Sequence, residues 1–325
     1  MSFTKKIRVG VLRGGPSSEY HISLKTGEAV LNHLPRDKYE PVDIYISEDG
    51  VWHIHGLPKN EHDALHTLDV VINAMHGEYG EDGKVQSMLD HMNIPYTGSQ
   101  AFPSAIAMRK DLAKGALKSA GIKTPYWRTL DRDDFRPETV VELFRLIPHP
   151  SVVKPAGSGS SVGVSIVRTF ADLMPALEKA FAIGDTAIIE EYIDGREATC
   201  GVVEGFRGEQ LYALLPVEII PHADRDFFDY EAKYGGKSQE VCPGEFDRAI
   251  KDELQRLARL VHKELGLRHY SRSDFIIHPT RGIYFLEVNT LPGLTTESLM
   301  PKSLTAVGSS LSEFLDHIIT LARKK

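Results

Sequence analysis

The chain reads as an α/β protein, with α+β character in parts, and three observations predict it. Ile7 to Leu12 is a short apolar run that passes through Arg13-Gly14-Gly15-Pro16-Ser17-Ser18-Glu19 into an amphipathic stretch, Ile22 to Leu34. Leu68 to Met75 repeats that order, ending at His76-Gly77-Glu78-Tyr79-Gly80-Glu81-Asp82-Gly83 before Val85, Met88, Leu89 and Met92 recur at helical spacing. Strand, glycine turn, helix is the opening unit of a doubly wound parallel sheet, where ligands gather beyond the strands' carboxyl ends. Third, Arg272–His278 and Ile283–Asn289 are two strands joined by Pro279-Thr280-Arg281-Gly282, a hairpin signal.

The remaining elements follow in order. Pro95-Tyr96-Thr97-Gly98 marks a first domain boundary, because Pro and Gly punctuate the chain just after a helix. A helical segment spans Ala105 to Ala120, and the strand Ser151–Lys154 enters Pro155-Ala156-Gly157-Ser158-Gly159-Ser160-Ser161-Val162-Gly163 and leaves through Val164–Val167. That loop joins two strands, and the helix Phe170–Ala182 comes only afterwards. Thr186–Ile193 is a further strand and Thr199–Glu204 an extended stretch. Residues 221–243 are polar, aromatic-bearing and without periodicity, and a loop of that length in a compact domain is usually functional, so a lid is expected. Ala249–Leu265 places Ile250, Leu254, Leu257, Val261 and Leu265 on one helical face, and Leu311–Ala322 is a closing amphipathic helix.

Composition bounds the function. With 325 residues, 42% of them hydrophobic, the chain has material for two or three domains, and a cleft between domains is a natural place for a site. A net charge of −7 leaves no global basic field, so neither nucleic acid nor a membrane is an expected partner. Cys200 and Cys242 form no C-x-x-C and read as reduced structural thiols. The run after Lys5-Lys6 is charged and too short for a signal peptide, and no stretch approaches a membrane span, so a cytoplasmic location is expected.

The hairpin carries the most chemistry. Pairing His278 with Ile283 sets Asp274 opposite Glu287 and Arg272 opposite Asn289, with all four on one face; Phe275, Ile277, Leu286 and Val288 on the other read as core. Two carboxylates and an amide oxygen suit Mg²⁺, whereas zinc would want His or Cys. The same pattern also describes a solvated polar face holding an Arg-Asp pair. The loop after Lys154 can bring backbone N–H groups to phosphate oxygens, with Lys110 as a second cation, or can be a flexible turn. It is not a Walker A loop, and no G-x-G-x-x-G occurs. Elsewhere His62 and His66 read as a solvated pair, His53 and His55 as surface residues, Glu81-Asp82 as a helix N-terminal acidic pair, and Tyr192 and Ile193 as plain core.

Taken together, Gly14–Glu19, His76–Gly83, Gly159-Ser160-Ser161-Val162-Gly163, Tyr230-Glu231-Ala232-Lys233-Tyr234, Arg272-Ser273-Asp274 and Leu286–Gly293 resemble, in order and over nearly the whole chain, the D-alanine:D-alanine ligases of the ATP-grasp superfamily. The resemblance implies a three-domain ATP-grasp fold, divided into 1–98, 99–187 and 188–325. It also implies phosphorylation of one D-alanine carboxylate by ATP and attack by the amine of a second D-alanine, for peptidoglycan precursor synthesis. Mg²⁺, with two ions expected and Mn²⁺ able to substitute, would sit on Asp274, Glu287 and Asn289.

By the same carry-over, Lys110 and Lys154 would contact the phosphates, Ser161 would help bind the nucleotide, Lys233 would close over the γ-phosphate, and Glu190, Glu191, Ile193 and Glu197 would hold adenine and ribose. Glu19 would bind the first substrate's ammonium and connect through Ser160 to Tyr234. His76 would approach that substrate's carboxyl end, Arg272 and the Gly293 N–H the oxyanion, and Ser298 the second carboxylate. The chain departs from the usual pattern at His21 and Glu297. Tyr234 tilts the second substrate toward D-alanine over D-lactate; D-serine or D-lactate in that place, or nucleotide binding without turnover, are the alternatives. A homodimer is expected from the family.

Overall fold

The computed structural model describes residues 5–159, 162–221 and 238–324. Three sheets organise them. The first is built from β1 (Ile7–Gly14), β2 (Tyr39–Ile46), β3 (Trp52–Ile54), β4 (Leu57–Lys59) and β5 (Val70–Asn73), in the order β4-β3-β2-β1-β5. β1 runs parallel to both β2 and β5, while β3 and β4 form an antiparallel edge. The helices α1 (Tyr20–His33), α2 (Glu61–Leu65) and α3 (Lys84–His91) accompany it. The parallel-sheet expectation therefore holds for its functional half. The loops leaving β1 and β5 emerge side by side at the carboxyl end, where a switch in winding opens a crevice.

A second, antiparallel sheet contains β6 (Trp127–Asp131), β7 (Ser151–Pro155), β8 (Ser165–Val167) and β9 (Thr186–Glu191) in the order β6-β9-β7-β8. It carries α6 (Pro137–Leu146) and α7 (Phe170–Phe181), the latter started by a capping box in which Thr169 and Asp172 satisfy each other's backbone donors. The predicted boundary at residue 187 falls inside β9, whose residues pair with both β6 and β7. This sheet therefore continues to Glu191.

Two helices precede that sheet, α4 (Ala101–Met108) and α5 (Lys110–Ser119), where the sequence suggested one helical segment. Arg109 is extended between them, and the Lys110 N–H donates to the Ala156 carbonyl at 2.9 Å instead of continuing a helix. The break places Lys110 at a helix start beside the loop after β7. Ala107, Ala113, Leu117 and Ile122 pack in one core with Phe275, Phe285 and Val288, so these helices cover the third sheet.

That third sheet consists of β10 (Arg196–Glu204), β11 (Leu211–Ala213), β12 (Val217–Pro221), β13 (Ser238–Val241), β14 (Tyr270–His278) and β15 (Gly282–Asn289). α8 (Arg248–Glu264) buries Leu254, Leu257 and Val261 against it, the face expected from the sequence. α9 (Leu299–Ala306) and α10 (Leu311–Arg323) close the chain, and α10 shares a core with Val9, Val11 and Ile72 of the first sheet and Val30 of α1. That shared apolar core fixes the N-terminal crevice over the end of the β14–β15 hairpin. Most of the expected lid falls outside the described residues, whose two flanks are β12 and β13. Among the described residues no helix is long and apolar enough to cross a membrane, and Cys200 and Cys242 are unbridged.

Candidate active site

The hairpin register holds where it matters. Arg272 lies opposite Asn289 and Asp274 opposite Glu287, but beyond a bulge at Asp274/Phe275 the pairing shifts by one, so that His278 meets Gly282 rather than Ile283. Leu286 is the extra residue. It leaves the core and lines the cleft beside Glu287, while Phe285 takes the buried place next to Phe275, ring centroids 6.1 Å apart. The expected core role of Leu286 thus passes to Phe285, because a bulge reverses the in-out alternation on one strand.

The polar face of this hairpin is half-buried and densely bonded. Asp274 accepts from Thr199 Oγ1 at 2.6 Å, from Nε and Nη2 of Arg272 at 3.0 and 3.1 Å, and from Asn289 Nδ2 at 3.1 Å. Glu287 lies 3.2 Å from Lys110 Nζ, which also donates to the Ser158 carbonyl at 2.6 Å. The Arg-Asp pair of the bland reading is present, yet it lies inside the cleft wall with 13% and 16% of the two side chains exposed, rather than on a solvated face. Two carboxylates facing each other across a strand pair, with an amide on the same face, form an all-oxygen donor set that fits a hard divalent cation once the Asn289 amide turns its oxygen inward.

A cleft of about 250 Å³ opens between the second and third sheets. Lys110, Lys154, Glu190, Glu191, Ile193, Glu197, Asp274 and Glu287 line it, so the structure gathers the described residues expected around a nucleotide together with the two carboxylates expected to hold a metal ion. Val152, Ile166 and Leu286 supply an apolar wall suited to a flat ring. Glu190 is 3% exposed, with Lys154 Nζ at 2.5 Å. Burial works against both charges, but neighbouring opposite charges outweigh it: Lys114 and then Lys154 hold the Glu190 carboxyl below its usual range, and Glu190 with Glu287 holds the Lys154 ammonium above its own. Glu191 pairs with Arg281 at 2.5 Å, and its backbone N–H goes to Tyr126.

A second cavity, of about 760 Å³, lies between α1, the β5–α3 loop and the segment before α9. Glu19, His76, Arg272, Asn289, Gly293 and Ser298 all line it. Glu19 is buried at the start of α1. His76 accepts from or donates to Thr26 Oγ1 at 2.7 Å; burial foremost, with the positive charge of Arg272, pushes its pKa down against the pull of Glu19, so the ring is neutral near pH 7. Ser298 caps the approach to α9, its hydroxyl 2.8 Å from that of Thr295. Gly293 packs closely against Ser298: a Cβ there would stand 2.8 Å from Ser298 Oγ and would push that hydroxyl aside. Ser160, Ser161, Lys233 and Tyr234 lie outside the described residues. His62, Asp63 and His66 form an exposed cluster away from both cavities, the two imidazoles stacked.

Glu81 was missed by the sequence reading. Its carboxylate accepts the Gly77 N–H at 2.7 Å and the Leu291 N–H at 3.4 Å, and so ties the β5–α3 loop to the segment after β15. Burial, reinforced by the negative charge of Glu19, pushes its carboxyl up to about 8. Only Asp82 behaves as the expected helix-start acid, accepting from the Lys84 N–H. The local signal for a cap masked a contact 210 residues away.

The family model described as D-ala D-ala ligase N-terminus matches residues 8–64 and 53–99, and that described as D-ala D-ala ligase C-terminus matches 116–320. A D-alanine--D-alanine ligase of Citrifermentans bemidjiense is 38% identical over 322 residues, 99% of this chain and 98% of that protein. The crystal structure of a D-alanine--D-alanine ligase from Bacillus anthracis superposes with a TM-score of 0.82 at 36% identity, covering 98% of this chain and 99% of the other. VanG, a D-Ala:D-Ser ligase from Enterococcus faecalis, superposes with a TM-score of 0.85 at 29% identity, covering 98% and 100%.

Proposed function

The chain belongs to the D-alanine:D-alanine ligase family, and from that premise we propose that it joins two D-alanine molecules with ATP to give D-alanyl-D-alanine, ADP and phosphate, for peptidoglycan precursor synthesis. One observation carries the reading to this chain's own residues: Arg272 and Gly159 line both cavities. A phosphoryl group leaving a nucleotide in the first would therefore meet a carboxylate held in the second.

In the first step a carboxylate oxygen of one D-alanine attacks the γ-phosphorus and the bond to ADP breaks. Lys110 and Lys154 neutralise the phosphate oxygens, and the half-buried cleft keeps water from the acyl phosphate. Asp274, Glu287 and Asn289 would hold Mg²⁺, or Mn²⁺ in its place, which supplies charge neutralisation at the phosphates. Glu19 holds the first substrate's ammonium, and neutral His76 stands by as a hydrogen-bonding wall that adds no charge. In the second step the amine of another D-alanine, its carboxylate at Ser298, attacks the acyl carbon, and phosphate leaves with the bridging oxygen. Arg272 and the Gly293 N–H bear on the developing oxyanion, and a donor of this kind is worth about 3–4 kcal/mol.

Glu190, the backbone near Glu191 and Ile193, and Glu197 serve the adenosine. Ser160, Ser161, Lys233 and Tyr234 are assigned their roles from the sequence resemblance alone. The division into an N-terminal domain to residue 98, a central domain and a C-terminal domain goes with this reading, the second boundary set at the end of β9. Homodimerisation and a cytoplasmic location, where ATP is at hand, belong to the same proposal; light scattering tests the first. The likeness to VanG keeps D-serine as the alternative second substrate. Phosphate release should require ATP, Mg²⁺ and D-alanine together, with D-alanyl-D-alanine as product in the presence of D-serine. Equal release with L-alanine would sink the stereochemical claim.

A further inference from the structure

Lys114, one turn after Lys110 on α5, is wholly buried and has no role in the scheme above. Its ammonium pairs with Glu190 Oε2, while Lys154 Nζ stands 2.5 Å from Glu190 Oε1. One carboxylate therefore serves two cations that come from opposite sides. Lys154 lies two residues along β7 from Val152, the partner of Glu190 on β9, so Lys154 and Glu190 are diagonal neighbours on one face of the sheet. Lys114 reaches the same carboxylate from α5, whose Ala113 and Leu117 are locked in the core of the third sheet. Lys154 and Glu190 line the nucleotide cleft, whereas Lys114 stands behind them, outside its lining.

We propose that Lys114 is a positioning residue of the nucleotide site, a standing counter-ion to Glu190 that lets Lys154 leave that carboxylate for the phosphates of ATP. If Lys154 were the sole partner, its move would strand a carboxylate that is 3% exposed, and a buried unpaired charge is strongly unfavourable. With Lys114 fixed in the rear, Glu190 stays paired in both states, and the Lys154 charge is available to the ligand. Burial pushes the Lys114 ammonium down to about 8, so it is charged near neutral pH.

The inference rests on the reading that this cleft takes ATP, and calorimetric titration of the full chain with ATP and Mg²⁺ separates the two. Wild-type protein that binds no ATP contradicts that reading itself. Given wild-type binding, Lys114→Met should weaken ATP by about tenfold or more, with the KM for D-alanine within about twofold of wild type. Lys114→Gln, which keeps a donor and most of the volume, should do the same. Lys114→Arg, which keeps a positive charge beside Glu190, should hold ATP affinity to within about threefold of wild type, because Glu190 then stays paired when Lys154 turns to the phosphates. Wild-type affinity in the folded Met and Gln variants, or a loss in a folded Lys114→Arg equal to theirs, overturns the proposal. A purely structural ion pair would raise both substrates' KM values together.

Discussion

The Glu19 carboxylate packs directly against Gly159: a Cβ built on that glycine would stand 2.7 Å from Glu19 Oε2. The start of α1 in the first sheet's crevice and the loop after β7 in the second sheet thus meet without a side chain between them. Gly159→Ala should fold normally but displace Glu19, lowering kcat/KM for D-alanine by about 10²-fold, since an error near 1 Å in a positioning group has that effect. Steady-state kinetics beside a melting curve within a few degrees of wild type check it.

The polar face of β14 and β15 makes a second expectation. Glu287→Gln removes a charge facing Asp274, and Arg272→Lys removes the two-point contact with Asp274 at 3.0 and 3.1 Å. Each should lower kcat about 10²-fold or more with the circular dichroism spectrum unchanged. Chelation of divalent metal should abolish turnover, and Mg²⁺ or Mn²⁺ should restore it. Wild-type activity of Glu287→Gln would contradict the metal assignment.

The bulge supplies a third. Phe285→Ala should cost about 3–5 kcal/mol in denaturant unfolding, as for a buried aromatic. Leu286→Ala should cost less and instead raise the KM for ATP several-fold, because Leu286 lines the cleft. The opposite ranking would mean that the hairpin keeps an unbroken register.

Glu81 gives a pH dependence. Burial and the nearby Glu19 raise its carboxyl from an ordinary 4.5 to about 8, so between these values the folded chain holds a proton that the unfolded chain has released. Stability from this group falls as pH rises through that window. Glu81→Gln, which keeps an acceptor for the Gly77 N–H, should gain on wild type in melting temperature from pH 5 to pH 8. A constant difference would show that Glu81 titrates normally.

Much of this arrangement was legible in the sequence because it is local. The strand-turn-helix units, the apolar face of α8 and the meeting of Asp274 with Glu287 follow from periodicity and turn residues over short spans. What escaped depends on partners far along the chain. The break before Lys110 comes from a hydrogen bond to Ala156, the fate of Glu81 from Leu291, and the bulge from a core that keeps Phe285 beside Phe275. Lys114 reads as an ordinary helix lysine until α5 and β9 are brought together.

The central claim is transfer of phosphate through a D-alanine carboxylate at the wall shared by the two cavities. Turnover with ATP, Mg²⁺ and D-alanine labelled with ¹⁸O in both carboxylate oxygens tests it most directly, by mass spectrometry of the released phosphate. The account predicts one ¹⁸O in each phosphate that accompanies a dipeptide. Dipeptide formed with unlabelled phosphate would contradict it.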